Sequence, residues 1–276
     1  MQSKSLDSNF YLGLNFNNDG TKMYTVNAGG GTSDAVTEHI LTTPYDISTA
    51  IVNNTFGVSR GGDTQATQVV FNNDGTKMFI SNHAGENTID YWSLSTAFDI
   101  STATFNEAFE LDGQEQRANS VAFNNNGTRM IVAGAGNMSQ HRIHEYSLST
   151  GFDLSSTVTH LNTEDLSSTH NYIDGVTFNY DGTKMYTIIS ETGDDDDISQ
   201  IFQFKLTTPY DVSTLSLEGT YNVSSVVNVA REVVFSNNGS RMFILDDIDN
   251  EIHEFNLSCN WSIIDGACDD PITTSD

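Results

Sequence analysis

The densest run of metal-capable side chains in the chain is Asp194, Asp195, Asp196 and Asp197. Adjacent carboxylates repel one another, and a hard divalent cation such as calcium relieves that repulsion. Neighbouring residues cannot all turn toward one ion, however, and the alternating D-x-D-x-D-G spacing of a calcium loop is absent. A solvated acidic loop tip accounts for the run better. Calcium at these four aspartates is therefore the sole cofactor expectation. A second set is scattered in sequence but recurs near the starts of predicted strands: Arg60, Gln68, Arg117, Asn119, Tyr172, Asp174, Arg231 and Glu232, with Phe10 among them. Guanidinium, amide and carboxylate groups beside aromatic rings suit sugars or peptides, although loops are polar in any case. Asp174 and Glu232 are the one obvious pair for glycoside chemistry, which needs an acid and a base or nucleophile at a set separation. The chain has no G-x-S-x-G elbow, no G-x-x-x-x-G-K-[ST] phosphate loop and no H-E-x-x-H zinc motif.

These residues are placed by a repeat. FNNDGTKMYTV begins at Phe16, FNNDGTKMFIS at Phe71, FNNNGTRMIVA at Phe123, FNYDGTKMYTI at Phe178 and FSNNGSRMFIL at Phe235. The glycines Gly20, Gly75, Gly127, Gly182 and Gly239 are 55, 52, 55 and 57 residues apart. A second motif follows each: EHILTTPYDIS, DYWSLSTAFDI, HEYSLSTGFDL, FQFKLTTPYDV and the degraded HEFNLSCNWSI. Each repeat reads as four strands. One ends at the Phe, a tight Asp-Gly or Asn-Gly turn follows, and three more strands complete the unit. Stacked four-stranded units of this period predict an all-β, five-bladed β-propeller over residues 1–258.

Lys22, Lys77, Arg129, Lys184 and Arg241 occupy one repeated position, and Glu38, Glu145 and Glu254 another. Residues present in every unit are read as architecture, here cross-strand ion pairs. Tyr91 and Gln203 break the acidic series, so the pairing is not universal. The last repeat loses its motif after Leu257. The N-terminal segment is the first candidate for the missing strand, with Cys259–Asp265 as the alternative. Cys259 and Cys268 suggest a local disulfide in a C-terminal tail spanning 259–276.

The F-x-x-D-G-T-K-M-Y and E-Y-x-L-S-T-x-F-D-I-S-T motifs resemble the propeller repeats of bacterial surface proteins and of phage structural proteins. They are more distantly similar to surface-layer YVTN-type repeats. The resemblance covers about residues 6–258 and is specific for fold, not for activity. It implies an extracellular, cell-surface or virion location and a display or recognition role.

Composition narrows the partners. Eleven basic residues stand against 37 acidic ones, a net charge of −26. Nucleic acid and anionic membrane are poor partners for such a chain. No apolar run is long enough to span a bilayer, and MQSKSLDSNF is not a signal sequence. The function expected is non-enzymatic recognition of a glycan or surface protein. It would use the face where the fourth-to-first-strand junctions meet the second-to-third-strand loops, and further subunits of a surface assembly are candidate partners. A glycoside-processing enzyme with channel carboxylates and a purely structural spacer are the alternatives.

Overall fold

The computed structural model describes residues 2–7, 10–29, 34–60, 65–83, 87–111, 117–135, 141–191 and 198–264. Five four-stranded antiparallel sheets form a ring, as the repeat predicts. Blade one is β2 (Tyr11–Phe16), β3 (Lys22–Asn27), β4 (Ala35–Leu41) and β5 (Ala50–Gly57). Blade two is β6 (Gln65–Phe71), β7 (Lys77–His83), β8 (Thr88–Leu94) and β9 (Ala103–Glu110). Blade three is β10 (Ala118–Phe123), β11 (Arg129–Ala135), β12 (His141–Leu148) and β13 (Val158–Asp165). Blade four is β14 (Gly175–Phe178), β15 (Lys184–Glu191), β16 (Ile198–Leu206) and β17 (Leu215–Asn222). Blade five is β18 (Ala230–Phe235), β19 (Arg241–Asp246), β20 (Glu251–Asn256) and β1 (Gln2–Ser5). The first strands β2, β6, β10, β14 and β18 each contact the next around a central channel.

Apolar residues fill the wedges between blades. Tyr24, Val26 and Val36 of blade one, for example, pack against Val69, Met78 and Trp92 of blade two. One sheet alone leaves such a face wet, so a blade is stable only between two neighbours.

The turn glycines carry the local geometry. All five have φ between 68° and 72°, a region open to Gly at little cost. An aromatic ring from the later loop lies over each one. A Cβ on Gly20 would sit 2.2 Å from the Tyr45 ring, and Gly239 has the same relation to Trp261. The aromatic residue's backbone N–H closes the contact by donating to the glycine carbonyl, at 2.9 Å for Tyr45 and 2.8 Å for Trp261. The acidic or amide residue before each glycine serves the turn. Asp19 accepts from the Thr21 N–H at 3.0 Å and from its hydroxyl at 2.6 Å.

The repeated basic and acidic residues tie each blade to the next. Lys22 pairs with Glu38 at 3.0 Å and donates to the Phe98 carbonyl of blade two at 2.8 Å. Lys77 likewise reaches the Phe152 carbonyl, and Arg241 reaches that of Tyr45. Arg129 pairs with Glu145, and Arg241 with Glu254. Where blade two has Tyr91, Lys77 lies over the ring at 5.2 Å. The acidic side chains also accept backbone N–H groups across the gap, Glu145 from Val212 at 3.0 Å. In blade four Gln203 does the same with Ile263, at 3.0 Å.

The N-terminal segment closes the ring. β1 pairs antiparallel with β20, with Gln2 opposite Glu254 and Ser5 opposite Glu251. Leu6 then packs into the wedge between blades five and one. The degraded motif still performs the loop's task. The Trp261 ring packs at a tilt against Phe235, the Trp261 carbonyl accepts from the Tyr186 hydroxyl, and Ile263 is buried. Cys259 is disulfide-bonded, and Cys268 lies outside the described residues. No helix among the described residues is long and apolar enough to cross a membrane.

Candidate functional site

The channel is lined in layers by the five first strands. Counting back three residues from the repeat's Phe gives Gly13, Gln68, Ser120, Gly175 and Glu232. Two long side chains share this layer with two glycines and a serine, and they meet across the axis. Gln68 Nε2 donates to Glu232 Oε2 at 2.7 Å, and Gln68 Oε1 accepts the Val121 N–H at 2.6 Å. The glycines make the room. A Cβ on Gly175 would lie 2.5 Å from Glu232 Oε1, and one on Gly13 would lie 2.8 Å from the Gln68 Cα. The result is a polar bar across the channel.

Above the bar lies a pocket of about 140 Å³, lined by Phe10, His83, Asn119, Tyr172, Asp174 and Arg231, with Leu12, Gln65 and Thr67. Its polar groups are held in place by neighbours. Arg231 bridges Asp174 and Asp247, at 3.0 Å to each. Asp174 also accepts from the Ser190 N–H at 3.1 Å and its hydroxyl at 2.8 Å. Arg117 donates to the Tyr172 hydroxyl at 3.1 Å, and Asn119 to the Ile173 carbonyl at 2.8 Å.

Charge in the pocket follows from this packing. Burial pushes the Asp174 carboxyl up, and Arg231 counters it. Burial opposes the Arg231 charge, but Asp174 and Asp247 more than offset that and raise its pKa. His83 is pushed down to about 4, first by burial and then by the guanidinium groups of Arg117 and Arg231. It is therefore a neutral imidazole at physiological pH, with capacity to accept a proton or a hydrogen bond.

Of the residues singled out from sequence, Asn119, Tyr172, Asp174 and Arg231 converge on this pocket, and Arg117 supports it through Tyr172. Gln68 and Glu232 form the bar instead. Glu232 is 1% exposed, so it does not face a sugar at the mouth beside Asp174. Arg60 is held within blade two, at 2.5 Å from Asp90 and over the Phe105 ring at 4.9 Å. Asp194–Asp197 lie outside the described residues. Among the described residues no group of three or more His, Cys, Asp or Glu side chains is arranged to hold a metal ion. The acidic residues at and after the end of β19 have structural partners. Asp246 accepts the Asn228 and Val229 N–H groups, and Asp249 accepts from the Asn228 side chain. His83 escaped the sequence reading. It stands six residues after Lys77, where the other repeats have Ala28, Ala135, Ser190 and Asp247. Aligning the repeats at that position exposes the outlier, together with the two partners of Asp174 and Arg231.

The bar carries a pH signature. Burial raises the Glu232 carboxyl well above its usual 4.5, while the Val233 N–H and Gln68 oppose that shift. A raised folded-state pKa gives stability that is present at low pH and lost as pH rises through it. Glu232→Gln keeps the shape and removes the ionisation. The variant is expected to match the wild type in thermal melts at about pH 4 and to gain on it steadily up to about pH 8. A difference in Tm that does not change with pH would show that Glu232 ionises freely in the folded ring.

No family model matches the chain, and no curated protein is similar to it in sequence. Solved structures share its architecture. A provisionally assigned 6-phosphogluconolactonase from Bacteroides fragilis superposes with a TM-score of 0.53 at 14% identity, over 88% of this chain and 79% of its own. Another, from Bacteroides uniformis, gives 0.52 at 17% identity over 88% of this chain and 65% of its own. A periplasmic gluconolactonase from Pseudomonas aeruginosa gives 0.49 at 12%, over 88% and 65%. At these identities the likeness is one of fold. It corrects the expectation of an extracellular, cell-surface or virion location. The two structures that superpose above a TM-score of 0.5 are described as 6-phosphogluconolactonases, and nothing in these matches supports a surface or virion setting. That location is withdrawn.

Proposed function

We propose that the chain is a ligand-binding propeller that recognises a hydroxyl-rich glycan at the channel mouth above the Gln68–Glu232 bar. One observation carries this reading: all five blades contribute to a single pocket. Phe10 comes from blade one, His83 from blade two, Asn119 from blade three, Tyr172 and Asp174 from blade four, and Arg231 from blade five. Guanidinium, amide and phenol groups donate, while carboxylate and neutral imidazole accept. Hydroxyl groups need both kinds of partner. Phe10 is 44% exposed at the rim and offers an apolar face to a sugar ring. A concave pocket of about 140 Å³ suits a single sugar unit seated at the channel mouth better than a flat protein surface.

Calorimetric titration against a panel of oligosaccharides tests the reading. Phe10→Ala and Tyr172→Ala are each expected to weaken the best ligand about tenfold, with Tm little changed. No binding across the panel, or binding indifferent to both substitutions, would refute it.

A second reading is hydrolysis of a sugar lactone, supported by the shared fold and by the neutral His83. Imidazole would take a proton from water adding to the lactone carbonyl, a guanidinium group would stabilise the resulting oxyanion, and its collapse would break the ring C–O bond as the imidazolium returns the proton to the departing oxygen. Turnover of gluconolactone above its spontaneous rate, lost in His83→Ala, would favour this reading over recognition alone.

A further inference from the structure

The opposite end of the channel holds a larger cavity, about 230 Å³, which the glycan reading leaves unused. It opens between the turns that join the first and second strands of the blades. Gln68 forms its inner end, and Val70, Ala122 and Val234 form apolar walls. None of the residues lining it is charged, in a chain that carries 37 acidic side chains.

Its rim is a chain of amides. Asn18 Nδ2 donates to the Asn73 carbonyl at 2.6 Å, Asn73 Nδ2 to that of Asn125 at 2.5 Å, and Asn125 Nδ2 to that of Tyr180 at 2.7 Å. A primary amide has two donors and an acceptor. Spending one donor on the next blade orients the group and leaves capacity for a ligand, more at Asn73 than at Asn125, whose Oδ1 also accepts from the Tyr210 hydroxyl at 3.3 Å. Blade four breaks the series. Tyr180 replaces the asparagine there, and its ring is 68% exposed beside the opening.

An uncharged throat, an amide rim and one exposed phenol ring specify a ligand with matching parts. We propose that this second mouth binds a neutral sugar carrying an acetamido group. The methyl enters the throat against Val70, Ala122 and Val234. The acetamido N–H and C=O pair with rim carboxamides. The sugar ring lies on Tyr180, with its hydroxyls toward solvent. A carboxylate-bearing sugar is disfavoured, because the throat offers no cation to offset desolvation.

The site is independent of the one at the other mouth, and the test separates them. The whole chain is titrated with N-acetylglucosamine, glucose and glucuronate by calorimetry and saturation-transfer NMR. Saturable binding of N-acetylglucosamine is expected, about tenfold weaker for glucose and absent for glucuronate. Tyr180→Ala, an exposed substitution, is expected to reduce affinity about five- to tenfold. Asn73→Asp, which places a charge on the rim, is expected to reduce it as well. Phe10→Ala is expected to leave it unchanged. Failure to saturate, or binding that survives both rim substitutions, overturns the proposal. Binding that Phe10→Ala abolishes also overturns it, and assigns the sugar to the opposite mouth.

Discussion

Removing Gln2–Leu6 is expected to lower the unfolding free energy by about 4 kcal/mol or more and to make the protein aggregate on heating. The segment supplies the fourth strand of blade five, with four residue pairs along β20. Each net backbone hydrogen bond contributes about 1 kcal/mol, and Leu6 adds apolar burial between blades five and one. Deletion also bares β20 as an open edge, a template for pairing with other chains. Urea titration measures the loss through the midpoint, and light scattering follows association. A synthetic peptide covering residues 1–7 is expected to restore part of the stability by adding the strand back in trans. A deletion variant that unfolds at the wild-type urea concentration would show that blade five stands on three strands.

The second large effect is expected at Glu145. Its side chain is fully buried, pairs with Arg129 and accepts the Val212 N–H of the next blade. Glu145→Ala strands a guanidinium and a buried N–H together. Breaking a buried pair by removing one partner costs about 3–5 kcal/mol. Glu145→Gln is expected to be milder, because Gln203 holds the same position in blade four and accepts the Ile263 N–H in the same manner. Chemical denaturation of both variants gives the comparison. Equal losses would assign the stability to the charge alone, and negligible losses would mean that the blades do not depend on this tie.

The architecture could be read from the repeat because five glycines at near-constant spacing demand five equivalent turns. That a fourth strand was missing from the last unit was also legible, since its motif ran out where the strand was due, but the choice between the N-terminal segment and Cys259–Asp265 was not; the pairing of β1 with β20 decides it. The site was legible only in part. Of the residues that differ between repeats at strand starts, Asn119, Tyr172, Asp174 and Arg231 share a pocket. Depth along the channel was not visible. A bulge shifts the register between Ala66 and Gln68, and equivalent shifts occur at Ala118/Ser120 and Ala230/Glu232. Simple alternation of faces fails there. Neighbours such as Arg231 and Glu232 therefore both serve the channel, one at its mouth and the other inside it. Asp174 and Glu232 remain near enough for the charge of one to raise the pKa of the other, but Arg231 and Ser190 hold the first while Gln68 holds the second. Arg60 was misplaced because a junction arginine can turn back to its own blade, and Asp90 with Phe105 gives it cause to do so.

Blade five is assembled from the earliest and latest described parts of the chain, β1 on its outside and Trp261 and Ile263 after its third strand. During synthesis the first four blades leave the ribosome with both flanks of the arc bare. Nothing can seal them until residue 264 has emerged. Ring closure is therefore a late event in synthesis, and the arc that precedes it carries apolar flanks open to association.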